Sequence, residues 1–331
     1  MQYKIKGKNL EDLNILVTGG AGVIGSAIVK RLPGKITVLD NLSSSTTDNI
    51  KELINEGKIN FIKGDIENFE AVNEASKGKD IIFHLAANAD IRYNESKPTN
   101  IDLKVNTVGT YNVLEAMRKN DVDLIVFTSS SSVYGYAEKI PTPETYGPLF
   151  PESLYAASKL GAESFISAFS KMFGFSAYIF RLANIVAPAY RSIGKNVIPD
   201  LIFKLLKDPN NLQILGNGKQ EKSYLYVDDC IDGMIYLSDR SPKDLDVFNL
   251  GNVDSITVDK IARIIVEEMG LKEVKFHYTG GERGWKGDVP KTVLDISKAL
   301  SFGWKPTLNS AEAVRKSARE IIKRIKNLSR F

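Results

Sequence analysis

The stretch that decides the fold is Thr18-Gly-Gly-Ala-Gly-Val-Ile-Gly25, which follows directly on the apolar run Asn14–Thr18. Its glycines, Gly19, Gly22 and Gly25, keep a spacing of three residues. Because glycine has no Cβ, such a run can form a tight turn in which a pyrophosphate reaches the N–H groups at the start of a helix. A glycine turn alone is weak evidence for a ligand site, but a strand before it and a helix after it indicate a dinucleotide site.

An acidic residue in the next strand strengthens this interpretation. Asp40 follows Gly19 by twenty-one residues, at the end of the second apolar run. A carboxylate there can accept hydrogen bonds from both ribose hydroxyls, and it repels a 2′-phosphate, so it favours NAD over NADP. The alternative is a tight turn with an unrelated surface aspartate. Asp65 is placed to bond an adenine amino group, or it simply ends a strand, and Asn106 is predicted to be a buried polar anchor.

Short apolar runs alternate with stretches of helical period through the first two thirds of the chain. This order indicates βαβ units, and continuous apolar runs are typical of parallel strands covered on both faces. We therefore predict an α/β fold, a Rossmann-type doubly wound parallel sheet over residues 1–190. A smaller C-terminal α/β substrate lobe is expected over 191–331, with some exchange of chain between the two. The predicted strands are Asn14–Thr18, Lys35–Leu39, Asn60–Lys63, Asp80–His84, Asp123–Thr128 and Ser176–Arg181, and the predicted helices begin near Val23, Asn68, Leu103 and Ser153.

Tyr155-Ala-Ala-Ser-Lys159 is the second decisive pattern. Residues 153–173 have a helical pattern, so the tyrosine and the lysine should share one face, a single turn apart. An ammonium group beside a phenol favours the phenolate, and we expect the pKa of Tyr155 to fall from about 10 towards neutrality. A surface Tyr/Lys pair is the alternative, and the upstream glycines and a serine cluster argue against it. Together the patterns predict a nicotinamide site with its own base.

Composition excludes several classes of protein. The 331 residues include 44 Lys and Arg and 40 Asp and Glu, a net charge of +4 that gives no reason to expect a nucleic-acid partner. Cys230 is the one cysteine, which excludes an internal disulfide framework and fits a reducing cytoplasm. No apolar run approaches the roughly 20 residues of a membrane span. We expect no metal site, since the only histidines are His84, predicted to be packed in the core, and His277.

These motifs carry a resemblance to the extended short-chain dehydrogenase/reductase superfamily. They are TGGAGVIG, Asp40, GDI, HLAA, Asn106-x-x-Gly-Thr, TSSSSVYG and Tyr155-x-x-x-Lys159. The later segments RLANIVAP, LGNGKQEKSYLYVDD and GGERGWKGDVP resemble nucleotide-sugar epimerases, particularly the UDP-glucose 4-epimerase type, over about Asn14 to Lys305. The resemblance implies an NAD-dependent isomerase that interconverts carbon-4 epimers of a UDP-hexose, such as UDP-glucose and UDP-galactose.

The resemblance also implies a mechanism. The 4,6-dehydratases carry Asp-Glu just before Val-Tyr-Gly, where this chain has two serines, so dehydration is disfavoured. Ser130, Tyr155 and Lys159 would be the catalytic residues. Tyr155 would take the proton of the 4-hydroxyl, directly or through Ser130, while NAD⁺ takes hydride, and the flat 4-keto sugar would turn over and be reduced on its other face. Lys159 would hold the nicotinamide ribose.

By the same resemblance, further residues belong to the cofactor and substrate sites. Besides the three glycines, Tyr155 and Lys159, the cofactor-binding residues would be Val23, Ile24, Asp40, Asn41, Ser44, Ser45, Asp65, Ile66, Leu85, Ala86, Ala87, Asn106, Thr128 and Leu182. The substrate-binding residues would be Ser130, Asn184, Asn196, Val197, Gln213, Leu215, Lys222, Arg283, Asp288 and Thr292.

Within that substrate set, three positions raise questions of specificity. Many relatives carry Arg-Asp where this chain has Lys222-Ser223, and lysine keeps the charge but lacks the bidentate fork for a diphosphate. Arg283 is the candidate replacement. Thr292 stands where glucose-specific enzymes carry a bulky tyrosine, which suggests room for an N-acetyl group.

Two other interpretations stay open. One is another nucleotide-sugar converter, an epimerase of uronates or a reductase that makes a deoxysugar. The other is a non-enzymatic NAD sensor, although sensors on this fold typically lack the tyrosine or the lysine and both are present here. The resemblance further predicts a homodimer that pairs through the stretches near Leu103–Lys119 and Ser153–Phe173.

Overall fold

The computed structural model describes residues 3–90, 98–188, 196–285 and 287–328. A short antiparallel hairpin comes first and is followed by a regular alternation of strands and helices. Up to residue 182 the elements are β1 (Lys4–Ile5), β2 (Lys8–Asn9), β3 (Asn14–Thr18), α1 (Val23–Arg31), β4 (Lys35–Asp40), α2 (Lys51–Asn55), β5 (Ile59–Lys63), α3 (Phe69–Ser76), β6 (Ile81–His84), α4 (Gly109–Lys119), β7 (Leu124–Ser130), α5 (Leu154–Phe173) and β8 (Ser176–Leu182). A π-helical turn, Leu103–Val108, leads into α4, and short 3₁₀ helices occupy Leu10–Asp12, Thr47–Asn49 and Ser131–Tyr134.

The rest of the chain mixes short strands with longer helices. Its elements are β9 (Asn184–Val186), α6 (Val197–Lys207), β10 (Asn211–Ile214), β11 (Glu221–Lys222), β12 (Tyr224–Tyr226), α7 (Val227–Arg240), β13 (Leu245–Leu250), β14 (Ile256–Thr257), α8 (Val258–Met269), β15 (Lys275–Tyr278), β16 (Lys291–Thr292), α9 (Ser297–Ser301) and α10 (Ser310–Leu328). Small sheets pair β9 with β12, β10 with β15, and β11 with β14 and β16. None of the helices within the described ranges has the length and apolarity needed to cross a membrane.

The main sheet has seven parallel strands in the order β13-β8-β7-β6-β3-β4-β5. The chain builds β3, β4 and β5 outward on one side and then returns to lay β6, β7 and β8 on the other. The strand order therefore reverses between β3 and β6, where Thr18 pairs with His84. In open α/β sheets, ligands bind outside the carboxyl ends of the strands at such a reversal. The fold thus places a binding crevice where the glycine turn begins.

Both faces of the main sheet are covered, as the continuous apolar runs predicted. Successive strand residues point to opposite faces, and in β3 the side chains of Ile15 and Val17 join one buried cluster while Leu16 joins another. The cluster on the first face continues through the second part of the chain to include Ile265 and Ile321. The two parts therefore share one apolar core.

The prediction of a Rossmann-type parallel sheet is confirmed, and all six predicted strands form within two residues of the expected bounds. Helices begin at Val23, Phe69 and Leu154 as expected, and the segment from Leu103 starts as a π turn. The seventh strand, β13, was not predicted. The expected boundary between residues 190 and 191 lies outside the described residues, and β13 returns the later chain to the sheet edge beside β8.

Candidate active site

The glycine turn between β3 and α1 is a cradle that side chains would fill. Gly19 has a φ of +71°, and a Cβ built there would lie 2.6 Å from the backbone nitrogen of Ala86. A Cβ at Gly25 would lie only 2.1 Å from the carbonyl oxygen of Gly19. Gly22 is the N-cap of α1, and it has no side chain to cap the first-turn amides. These amides and the helix dipole are suited to a pyrophosphate.

Acidic side chains lie at the carboxyl ends of the neighbouring strands. Asp40 is the last residue of β4, and its carboxylate accepts hydrogen bonds from the Ala21 amide at 3.0 Å and the Ser45 hydroxyl at 3.2 Å. Asp65, after β5, accepts a 2.7 Å hydrogen bond from the Asn41 amide group. The carboxylate of Asp40 is therefore fixed directly against the glycine turn, where a ribose attached to a pyrophosphate would lie. The glycine turn and these carboxylates fit NAD.

Ser130, Tyr155 and Lys159 come together on the other side of the reversal point. Ser130 ends β7, and the other two lie in the first turns of α5, whose N-cap Ser153 accepts a 3.1 Å hydrogen bond from the amide of Ala156. The side chains of Tyr155 and Ser130 line the same cavity, and the interaction with Ser130 acts to lower the pKa of the Tyr155 phenol. The ammonium of Lys159 donates to the carbonyl oxygen of Thr128 at 2.9 Å. The structure therefore assembles the three predicted catalytic residues into one group.

The titration of this group differs from the expectation for Tyr155. Burial raises the pKa of the Tyr155 phenol to about 12. The negative charge of Asp102 acts in the same direction, and the interaction with Ser130 opposes it. Burial also lowers the pKa of Lys159 to about 7, although the charge of Glu163 opposes it. For the protein without a cofactor, the pKa of Tyr155 is therefore raised and not lowered as expected, because desolvation is the largest contribution.

A cavity of about 400 Å³ opens between this group and the later part of the chain. Fifteen predicted site residues line it: Val23, Ile24, Leu85, Ala87, Thr128, Ser130, Tyr155, Lys159, Leu182, Asn184, Asn196, Val197, Leu215, Lys222 and Asp288. The predicted residues outside this lining are Gly19, Gly22, Gly25, Asp40, Asn41, Ser44, Ser45, Asp65, Ile66, Ala86, Asn106, Gln213, Arg283 and Thr292. Sequence reasoning missed Trp285, Tyr224 and Gln220, which also line the cavity, although all three stand inside the segments quoted above.

On the substrate side, the expected diphosphate contact is altered. The ammonium of Lys222 forms a 2.5 Å ion pair with the buried carboxylate of Asp288, whose other oxygen accepts from the amide of Gly284 at 3.0 Å. The guanidinium of Arg283 lies 5.0 Å from the centre of the Tyr136 ring. Lys222 is therefore neutralised by Asp288, and Arg283 is anchored at an aromatic ring.

The structure separates the other predicted substrate residues. Gln213 is exposed on β10, outside the cavity lining, and its backbone carbonyl oxygen accepts a 3.3 Å hydrogen bond from the ammonium of Lys204. Thr292 is half-buried on β16, in register with Lys222 and one strand away from the lining. Asn106 is buried and is hydrogen-bonded to the amide of Asn88 and the hydroxyl of Ser158, as expected for a polar anchor.

A buried ion pair behind the catalytic group was not predicted. Glu163, one helical turn after Lys159, accepts hydrogen bonds from Arg181 at 2.7, 3.1 and 3.2 Å and from the hydroxyl of Ser129. The same guanidinium lies 4.8 Å from the centre of the Tyr134 ring. The sequence did offer a signal for this ion pair, since each of the two charged residues stands in an otherwise apolar run and buried charges require partners. Across the described residues no cluster of three His, Cys, Asp or Glu forms a metal site.

Comparison with known proteins gives a consistent result. A model of the NAD dependent epimerase/dehydratase family matches residues 15–251. A protein of Mycolicibacterium smegmatis named UDP-glucose 4-epimerase is 30% identical over 312 residues, which cover 92% of this chain and 97% of that protein. A crystal structure of a UDP-galactose 4-epimerase has a TM-score of 0.83 at 35% identity, over 94% of this chain and 99% of that one. A UDP-N-acetylglucosamine 4-epimerase from Methanobrevibacter ruminantium has a TM-score of 0.84 at 28% identity, over 96% and 99%.

Proposed function

Because the chain belongs to the NAD-dependent epimerase/dehydratase family, we propose that it interconverts the carbon-4 epimers of a UDP-hexose through a transient 4-keto sugar. The observation that carries this proposal is that Ser130, Tyr155 and Lys159 line one cavity, with Tyr155 and Lys159 one turn apart on α5. The two residues after Ser130 are serines, so this loop lacks the acid that a dehydration would need. Asn196 and residues that follow it would hold the nucleotide.

The chemistry requires a base on one side of the sugar. The oxygen of Tyr155 would accept the proton of the 4-hydroxyl, directly or through Ser130, and return it after the sugar has turned. When bound, NAD⁺ supplies the hydride acceptor and a positive ring charge. A phenol whose pKa is about 12 depends on such a charge to ionise near neutral pH. Lys159, fixed by the Thr128 carbonyl, is placed to hold the ribose beside it.

The charges of the cavity favour a neutral hexose over a uronate. Lys204 forms a 2.9 Å ion pair with Asp200, and Lys222 pairs with Asp288. Among the described residues of the lining, this leaves Lys159 as the cation without a paired carboxylate. A sugar carboxylate would therefore have to compete with an existing ion pair for a partner. These ion pairs support the hexose proposal over the uronate alternative.

Incubation of the purified protein with UDP-glucose, UDP-galactose, UDP-N-acetylglucosamine, UDP-glucuronate and a dTDP-sugar, followed by separation of the products, tests the proposal. We expect epimers of the neutral sugars without release of NADH. Faster conversion of UDP-glucuronate, or free NADH with a 4-keto product, would favour the alternatives.

The role of Tyr155 is tested by Tyr155→Phe, with Tyr278→Phe as a control that removes a hydroxyl outside the cavity lining. A positioned acid or base contributes about 10²–10⁴ in rate, so the first variant should lose at least a hundredfold in kcat while retaining NAD. The control should stay within twofold. A loss below tenfold in Tyr155→Phe would exclude the phenolate role.

The assembly and location are also proposals. Large apolar side chains on α4 and α5 are exposed, with Tyr111 42%, Phe165 41% and Phe173 46% accessible. Such a contiguous apolar face supports the homodimer that the family resemblance implies. Light scattering that shows only monomer at micromolar concentration would contradict it. The single cysteine, Cys230, is buried, and we propose a cytoplasmic location for a protein without a disulfide framework.

A further inference from the structure

His84 is a buried histidine that the reaction does not use. It ends β6 and is fully buried, with its ring stacked on Phe127 at 5.5 Å between centroids. Its Nδ1 lies 2.7 Å from the hydroxyl oxygen of Thr18, and its Nε2 lies 2.9 Å from that of Thr110. Both ring nitrogens are therefore engaged by hydroxyl groups from different elements.

The available protons decide which nitrogen is protonated. The hydroxyl of Thr110 donates its only proton to the carbonyl oxygen of Asn106 at 2.6 Å, so Thr110 accepts from Nε2–H of His84. Nδ1 is then an acceptor, and it receives the proton of Thr18, whose oxygen accepts from the amide of Ala86 at 3.3 Å. The opposite tautomer would break the Thr110–Asn106 bond and leave the Thr18 proton without an acceptor. Burial and the charge of Lys159 lower the pKa of His84 to about 3, so the ring is neutral at physiological pH.

This chain of hydrogen bonds connects two parts of the site. At one end, Thr18 precedes Gly19, and the backbone of Ala86 lies against the same glycine. At the other end, the side chain of Asn106 donates to the hydroxyl of Ser158 at 2.9 Å, and Ser158 donates to the carbonyl oxygen of Tyr155 at 2.7 Å. The pyrophosphate cradle and the start of α5 are thus joined through one imidazole.

We infer that His84 is a positioning residue that holds the cofactor cradle in register with the helix of Tyr155, as a neutral imidazole protonated at Nε2. It touches neither substrate nor cofactor and acts through Thr18 and Thr110. The inference rests on the NAD dependence of the family, and its tests use no sugar. If the protein did not epimerise sugars at carbon 4, the role of His84 would therefore be unaffected. If His84 did not have this role, the proposed epimerisation would be unaffected.

The first test is nitrogen NMR of the wild-type protein labelled with ¹⁵N-histidine, in which His277→Gln assigns the two sets of signals. We expect the ring of His84 to carry a proton on Nε2 and none on Nδ1, and its signals to stay unchanged from pH 5 to pH 9. A proton on Nδ1, or protonation of the ring within this range, would overturn the inference. This measurement needs no variant of His84 and does not depend on the folding of one.

The second test separates positioning from stability. His84→Phe keeps an aromatic ring beside Phe127 but removes both hydrogen bonds, whereas His84→Gln restores an N–H donor near Thr110. Ile265→Ala, which removes a buried side chain of α8, serves as the control for a loss of stability as such. The Kd for NAD is measured well below the Tm of each variant. We expect this Kd to rise about fivefold or more in His84→Phe and to return most of the way to the wild-type value in His84→Gln. In the control it should change less than twofold. Wild-type affinity in His84→Phe, or equal weakening in the control, would overturn the inference.

Discussion

The ion pair of Glu163 and Arg181 should be among the most sensitive positions in the protein. The side chains of Glu163 and Arg181 are 7% and 8% exposed, respectively, and are joined by three hydrogen bonds of 2.7 to 3.2 Å. Removal of one member leaves a buried charge without its partner, which typically costs about 3–5 kcal/mol. We therefore expect Arg181→Met and Glu163→Gln each to reduce the free energy of unfolding by this amount. The double variant should lose about as much as either single variant, because the second change removes the orphaned charge.

The assay is urea unfolding of the wild type, both single variants and the double variant, analysed as a double-mutant cycle. The control is Glu115→Gln in the i,i+3 pair with Arg118 on α4, where the two side chains are 21% and 41% exposed. A pair so close to solvent should change stability by no more than about 0.5 kcal/mol. Losses below about 1 kcal/mol in the buried variants, or strictly additive losses in the double variant, would refute the argument.

Four further outcomes follow from the geometry. Gly25→Ala should abolish NAD binding while Gly22→Ala weakens it mildly, since the added Cβ would lie 2.1 and 3.2 Å from the Gly19 carbonyl, respectively; titration of NAD measures both. Asp40→Ala should narrow the preference for NAD over NADP, measured as the ratio of the two Kd values. Equal affinities of the wild-type protein for NAD and NADP would contradict the role of Asp40 in selecting NAD. Thr292→Tyr should lower kcat/KM for UDP-N-acetylglucosamine selectively, by roughly ten- to a hundredfold. Because the pKa of His84 is depressed from 6.5 to about 3, its contribution to stability is complete above pH 6.5 and falls by about 1.4 kcal/mol per unit below it. The free energy of unfolding, measured in urea between pH 7 and pH 5, should therefore fall less with pH in His84→Asn than in the wild type.

The central strands could be predicted because each is a short apolar run bounded by turn residues. The bounds of β3 were predicted to the residue, since a glycine turn ends it. By contrast, β13 reads Leu-Asp-Val-Phe-Asn-Leu and mixes polar with apolar residues far along the chain. Its place in the main sheet depends on its pairing with β8, from Leu245 opposite Ala177 to Leu250 opposite Leu182. Long-range pairing of this kind leaves no local pattern in the sequence.

The site shows the same division between local and distant information. Helical spacing was enough to place Tyr155 and Lys159 together, because both lie on α5. The pKa of Tyr155 could not be predicted, since it depends on how much protein surrounds the phenol, and this comes from several elements. Arg181 and Glu163 are 18 residues apart and meet only when β8 packs against α5. The ion pair of Lys222 with Asp288 spans 66 residues and depends on β11 lying near the segment before β16.

The position of β13 limits how genes of this kind can be recombined. A fragment that stops near residue 190 would lack β13 and would expose the backbone of β8, a strand whose seven residues are all buried in the full chain. An unpaired apolar edge of this length invites association with other chains. A chimera joined at that point would instead take β8 from one parent and its neighbour from the other. Exchange of nucleotide-sugar specificity by crossover therefore requires three junctions, after β8, before β13 and after β13, so that both strands stay from the same parent while the segments between and after them are replaced.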